Sequence, residues 1–291
     1  MGALRVFFMK LPYCFFLLLI LFGSCRSDSA TEAAANPGDT LSGYLYKLPD
    51  LTNWDAKAPA NETLLEEAIS DLHLMAVEQI AVIQEGKMVV FDQVTDSLIC
   101  TLSVNPLIEA SLIILGNNES ILAEENSIDL LFDKQNSTEK FNRLDRLCQH
   151  NWQLPLRQAA ELKIFEPAAL DQYKWNEQEF CTPLQGYAHL AKIWTDLGRA
   201  GRKVILPHKA FENFWKQAYV VKAQQSELYG WQLSQVNVKG RKQAVLFWKQ
   251  DAIFCCFLPE MRAMVLITGE HLEVAQLWPV VASKLAPALT L

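Results

Sequence analysis

The spacing of hydrophobic positions changes character several times along the chain. Between Glu62 and Leu74, residues Leu64, Leu65, Ala68, Ile69 and Leu72 recur at the three- and four-residue spacing of one helical face, which predicts a helix. Two short apolar runs follow, Gln79–Gln84 and Lys87–Gln93, on either side of Glu85-Gly86. A glycine turn between such runs predicts a β-hairpin. The stretch from Leu107 to Leu115 is apolar almost throughout, and Ser103 with Pro106 close behind reads as its helix cap. Further on, Leu190, Ile193, Trp194 and Leu197 form a helical stripe that stops at Gly198, and Pro207 stands at the first turn of another helix. Near the C-terminus Gln243–Trp248, Ala252–Leu258 and Met261–Thr268 are rich in Val, Ile, Phe and Trp. Gly240-Arg241-Lys242 and Pro259-Glu260 separate them, so they predict antiparallel strands in a meander. Leu272, Ala275, Leu277, Trp278, Val281 and Leu285 then predict a last helix, kinked at Pro279, with the Trp278 ring buried against the sheet beside Val274 and Val281.

The first 24 residues stand apart from this pattern. Arg5 and Lys10 precede the apolar run Leu11–Phe22, which is shorter than a membrane span requires and reads as a targeting segment. Phe22-Gly23-Ser24-Cys25 resembles a bacterial lipobox, which implies lipid on Cys25; an ordinary signal peptide cut near Ser24, giving a secreted protein, is the alternative. Arg26–Thr40 is rich in Ser, Ala, Asn, Pro and Gly and reads as a tether. The expected organisation is a signal peptide over 1–24, a lipidated cysteine and tether over 25–42, and one globular domain over 43–291. The expected location is the bacterial cell envelope, with the membrane reached through the lipid.

Composition narrows the function. With 51% hydrophobic residues in 291, the chain can bury a sizeable core. Its net charge is −7, and removal of residues 1–24 takes away two cations and no acid. A nucleic-acid partner is not expected, because phosphate binding needs a basic face. Beyond Cys25, the cysteines of the domain are Cys100, Cys148, Cys181, Cys255 and Cys256. No Cys/His spacing points to a metal, no cofactor motif is present, and buried free thiols are the expectation. Cys255 and Cys256, adjacent in a strand, are expected to face opposite sides of the sheet.

Several segments carry a family resemblance in order. They are the first helix with Ile80-Ala-Val-Ile-Gln-Glu-Gly-Lys-Met-Val-Val-Phe91, the stretch Asn142–Pro155, the helix–glycine–helix segment from Gly186 to Trp215, and Tyr229-Gly-Trp231 leading into the meander. Together they resemble the serine β-lactamase-like superfamily of class C β-lactamases, esterases and DD-peptidases. The resemblance implies an α/β (α+β) fold: an antiparallel sheet flanked by N- and C-terminal helices, with a reduced helical region.

The same resemblance places the superfamily's nucleophile at Ser103 and its activating lysine one helical turn on, where this chain has Pro106. A serine hydroxyl needs a base to take its proton, and Pro106 cannot accept one. Glu109 lies two turns from Ser103 and is a poor stand-in. The one literal match to the Ser-x-x-Lys pattern, Ser137-Thr-Glu-Lys140, sits in a polar stretch and reads as chance. Tyr173-Lys-Trp-Asn176 has one residue too many for the tyrosine motif, His150 reads as a hydrogen-bonded structural residue, and Gln243–Gln250 lacks the Lys-Thr-Gly or His-x-Gly of the substrate-side strand. The expectation is a non-catalytic homologue with a binding or structural role and no identified ligand or protein partner. The alternative is a divergent esterase or peptidase using Ser103. The N-terminal pattern carries its own test: in a bacterial host Cys25→Ser should leave the precursor unprocessed, or move the protein out of the detergent phase in which two acyl chains would hold it. Identical partitioning of mutant and wild type would refute lipidation.

Overall fold

The computed structural model describes residues 54–93, 95–101, 104–119, 137–177, 179–221, 227–228 and 230–290. Helix α1, Glu62–His73, is capped by Asn61, whose Oδ1 accepts the Leu64 N–H at 3.0 Å. It buries Leu65, Ala68, Ile69 and Leu72, the stripe read from the sequence. Strands β1, Gln79–Gln84, and β2, Lys87–Asp92, form the hairpin, with Glu85 and Gly86 both at positive φ in its turn. A short strand β3, Ile99–Thr101, leads to helix α2, Pro106–Glu119. Helix α3, Ser137–Trp152, follows, and then α4, Leu156–Ala160, which continues through a π segment over Glu161–Phe165. Strands β4, Lys174–Asn176, and β5, Glu179–Thr182, pair with β3 in a small sheet of order β3-β5-β4.

Helix α5, Leu184–Thr195, is buried along most of its length. The two-residue strands β6, Arg199–Ala200, and β7, Lys203–Val204, carry the chain to helix α6, His208–Val221. The meander comprises β8, Glu227–Leu228, β9, Trp231–Val238, β10, Arg241–Gln250, β11, Ile253–Leu258, and β12, Ala263–Thr268. Helix α7, Val274–Val280, continues as a π segment over Val281–Leu285 and ends in a last turn over Ala286–Ala288. The shift to π geometry comes directly after Pro279, whose missing N–H and ring interrupt the α ladder.

The main sheet is antiparallel, in the order β2-β1-β12-β11-β10-β9-β8, and has a core on each face. Helices α1 and α7 cover one face, over Val82, Val245, Phe254 and Val265. Helices α2, α3, α5 and α6 cover the other, over Leu246, Trp248, Phe257 and Leu266. Strands β11 and β12 are buried at every position, which is why they read as unbroken apolar runs. Cys255 faces the second of these cores and Cys256 the first, the alternation expected of neighbours in a strand.

Two expectations need correction, and one strand was not anticipated. Cys100 and Cys181 are not free thiols; they are register partners across β3 and β5 and form a disulfide. Cys148, Cys255 and Cys256 are free and buried. Strand β9 lacked a sequence signal of its own, because its buried residues divide between the two faces, Trp231 in one core and Val236 and Val238 in the other, with polar residues among them. Trp278 is half-buried and rests on Phe247 with ring centroids 5.3 Å apart, while Leu277, Val280, Val281 and Leu285 fill the core. Leu277→Ala should therefore cost about 2–5 kcal/mol in urea unfolding, and Trp278→Ala less. A larger loss for Trp278→Ala would mean that the terminal helix is rotated from this docking.

Candidate functional site

The site begins at the N-terminus of α2. Asn105 caps it: its Oδ1 accepts the Leu107 N–H at 2.7 Å and its carbonyl accepts the Glu109 N–H at 2.9 Å. The cap expected at Ser103 is thus made two residues later, and Ser103 itself lies outside the described residues. Pro106 is the first helical residue, where a missing N–H costs little. It is buried, as are all positions from Val104 to Gly116. A helix apolar on every side belongs in a core, and that makes the acid in its first turn conspicuous.

That acid is Glu109, with no exposed surface. Lys140, in the first turn of α3, reaches it with Nζ 2.5 Å from Oε2, while keeping 26% of its own side chain exposed. Beyond this ion pair neither carboxylate oxygen finds a hydrogen-bond donor among the described residues. Burial opposes the charged form and pushes the Glu109 carboxyl up to about 7, against the pull of the Lys140 ammonium. Gly230, at φ 76°, closes the cluster from the start of β9. A Cβ there would lie 3.2 Å from Lys140 Nζ and 3.4 Å from Pro106 Cγ. The Lys140 amine and the Pro106 ring therefore meet at one point, beside Gly230. An amine from α3 stands next to the position at which the resemblance expects the lysine of α2.

Aromatic rings fill the space between this cluster and the sheet. Trp231 stacks on Trp194 at 5.3 Å and meets Trp248 edge-on at 6.2 Å. Trp194 also contacts Phe211 and Phe257, and its Nε1 donates to Ser111 Oγ on α2 at 3.1 Å. Trp248, on the strand where the resemblance expects Lys-Thr-Gly or His-x-Gly, is buried against the Cys255 position of β11. A bulky indole occupies backbone that in a glycine-bearing strand would be open to close approach.

The other candidates lie elsewhere. The Tyr173 hydroxyl donates to Glu161 Oε1 at 2.7 Å, and the ring packs on Phe165 and Phe180. Asn176 Nδ2 lies 3.6 Å from Cys181 Sγ. Both are parts of the small sheet's packing. His150 is exposed on α3, so it is not a buried structural histidine. Cys100, Cys181 and Glu179 cluster within metal-ligand range, but the two sulfurs are already bonded to each other. Sequence reasoning passed over Lys140 because its neighbours are polar. The one signal that could have found it was the unpaired acid Glu109 in an apolar helix, which requires a cationic partner from elsewhere.

Solved structures show what this architecture is similar to. A β-lactamase from Mycobacterium bovis superposes with a TM-score of 0.55 at 12% identity, covering 77% of this chain and 100% of that one. A putative β-lactamase from Bacteroides dorei gives 0.55 at 12% identity, over 79% and 99%. A putative 6-aminohexanoate-dimer hydrolase from Bacillus anthracis gives 0.55 at 10% identity, over 80% and 86%. No family model and no curated protein matches the sequence. The fold is that of the serine β-lactamase-like proteins, an antiparallel sheet between terminal helices and a helical layer.

The raised Glu109 value has a consequence for stability. The native carboxyl holds its proton up to about pH 7, whereas an unfolded one releases it near its ordinary 4.5. Between those values the native state binds more protons, so stability falls as pH rises through the window. The cost is absent below it and complete above it, on the order of 3 kcal/mol at most. Glu109→Gln should remove that slope and gain stability at pH 8 relative to pH 4. Parallel stability–pH curves for variant and wild type, from urea unfolding, would show that Glu109 carries no such shift.

Proposed function

We propose that this chain is a non-catalytic homologue of the serine β-lactamase-like hydrolases, held at the bacterial cell envelope by lipid on Cys25, with a binding or structural role. The observation that carries it is the occupancy of the lysine position. Pro106 stands there, and the amine that approaches from α3 is engaged by the buried Glu109. Trp248 adds a second argument, since the strand that would line a substrate is packed with an indole. Groups that activate a nucleophile act as a unit, so loss of the lysine, the tyrosine motif and the glycine-bearing strand together is far more damaging than any single loss. The Cys100–Cys181 disulfide supports the envelope location, because such bonds persist in oxidising compartments outside the cytosol.

The test is covalent labelling of purified residues 26–291. A β-lactam or a fluorophosphonate should leave no serine adduct. A chromogenic cephalosporin or a short p-nitrophenyl ester should not be turned over above the Ser103→Ala background. Stoichiometric labelling that disappears in Ser103→Ala would establish the rival function, a divergent esterase or peptidase using Ser103. Labelling that moves to Ser137 would assign the nucleophile to the Ser137-Thr-Glu-Lys140 motif instead.

A further inference from the structure

The face of the small sheet that carries the disulfide holds a third metal-ligating group. Cys100 and Cys181 stand opposite each other across β3 and β5, and Glu179, two residues before Cys181 on β5, projects to the same face. A Glu179 carboxylate oxygen and the two sulfurs all lie within 4.8 Å of one another. That carboxylate has no hydrogen-bond or ion-pair partner among the described residues. Asn176, opposite Glu179 on β4, brings its side-chain amide to 3.6 Å from Cys181 Sγ. The disulfide is not the one tie that holds this register. Thr101 Oγ1 donates to the Phe180 carbonyl at 3.3 Å, and the Tyr187 hydroxyl donates to the Ile99 carbonyl at 3.2 Å. Breaking the S–S bond therefore leaves two thiols and a carboxylate facing one point. Cys181 is buried, but Cys100 and Glu179 are half-exposed, so that point is reached from solvent.

We propose that Cys100, Cys181 and Glu179 bind a thiophilic divalent cation such as Zn²⁺ once the disulfide is reduced, so that disulfide and metal are alternative clasps between β3 and β5. The reductant is a dithiol. Its thiolate attacks the half-exposed Cys100 sulfur, the S–S bond breaks, and Cys181 leaves as a thiolate. The second thiol of the reductant then displaces Cys100. Two electrons pass to this chain, which ends with two thiols, and the reductant ends as its own disulfide. Binding the cation releases both thiol protons. In a tetrahedral zinc site sulfur lies at about 2.3 Å and oxygen at about 2.0–2.2 Å, which spaces the ligand atoms by about 3.5–3.8 Å. That spacing falls inside the 4.8 Å span of the cluster. The fourth position falls to water or to the Asn176 amide, turned so that Oδ1 rather than Nδ2 faces the sulfurs. Two thiolates and a carboxylate around a dication leave a single negative charge. Lys174, opposite Cys181 on β4, offers a cation on that same face.

The experiment takes the full chain in detergent, reduces it with a phosphine, removes the reductant without oxygen, and titrates first Co²⁺ and then Zn²⁺. The reduced chain should bind one equivalent of Co²⁺ with a thiolate-to-cobalt charge-transfer band, and Zn²⁺ should bleach that band. The oxidised chain should show none. The double variant Cys100→Ser/Cys181→Ser keeps every other cysteine of the chain and should also show none, which assigns the band to this pair. Glu179→Gln should bind at least about tenfold more weakly. Circular dichroism follows the fold throughout. A folded, reduced chain without the band, an equal band in the double variant, or an unchanged affinity in Glu179→Gln would each overturn the proposal. A chain that unfolds on reduction would overturn it as well, because the site exists only in the β3–β5 register. None of these readouts involves Ser103, so the outcome is separate from that of the labelling experiment.

Discussion

The central strands β11 and β12 are apolar on both faces, and this one fact dictates the rest of the architecture. A sheet of that kind must be covered twice, because each exposed face would present a continuous hydrophobic surface to water. The chain supplies the first cover from its two ends, α1 and α7, which meet over Val82, Phe254 and Val265. The second cover comes from the middle of the chain, α2, α3, α5 and α6, over Leu246, Phe257 and Leu266. Covering one sheet with the ends and the middle of a single chain forces the long crossover from β2, at one edge of the sheet, to β8, at the other. That crossover contains α2 and α3, which carry Glu109 and Lys140, while Gly230, Trp231 and Trp248 come from the meander that follows it.

Depth within the second cover decides what each site residue can do. Helix α2 lies deep enough that all positions from Val104 to Gly116 are buried. A polar group there must bring its own partner. Ser111 finds one in the Leu107 carbonyl at 2.6 Å and also accepts from Trp194. Asn105 caps the helix, and Glu109 draws Lys140 inward from α3. The disulfide acts just upstream, fixing β3 to β5 and so the approach of the chain to α2; in the chain-entropy account, a cross-link over 81 residues also removes freedom from the unfolded state. The three tryptophans 194, 231 and 248 fill what remains between α2 and the sheet, and they do so from three different elements.

The fold was legible where a residue's burial and its period agree. The stripe of α1, the Glu85-Gly86 turn and the apolar runs of β11 and β12 each state their structure locally, so the resemblance could be assembled from them. Strand β9 was not legible, since it buries Trp231 on one face and Val236 and Val238 on the other, with polar residues among them, and so keeps no single period. The disulfide could not be deduced from cysteine spacing, because pairing over 81 residues depends on a register that only the folded sheet defines. The site divides in the same way. The vacancy of the lysine position is a property of one residue, Pro106, and can be read directly. The arrival of Lys140 depends on how α3 crosses α2, for which its polar neighbours Thr138 and Glu139 give no hint.

The energetics of Glu109 bear on why the pair persists. A leucine or methionine at position 109 would suit the apolar surroundings of α2, would free Lys140 to solvent, and would avoid a desolvation cost that Lys140 does not fully offset. A buried acid against a partly exposed amine, beside Pro106, departs from the apolar pattern of α2 in a way that packing alone does not explain. Beside Pro106, two different helices bring together an amine and a buried carboxyl, Lys140 from α3 and Glu109 from α2.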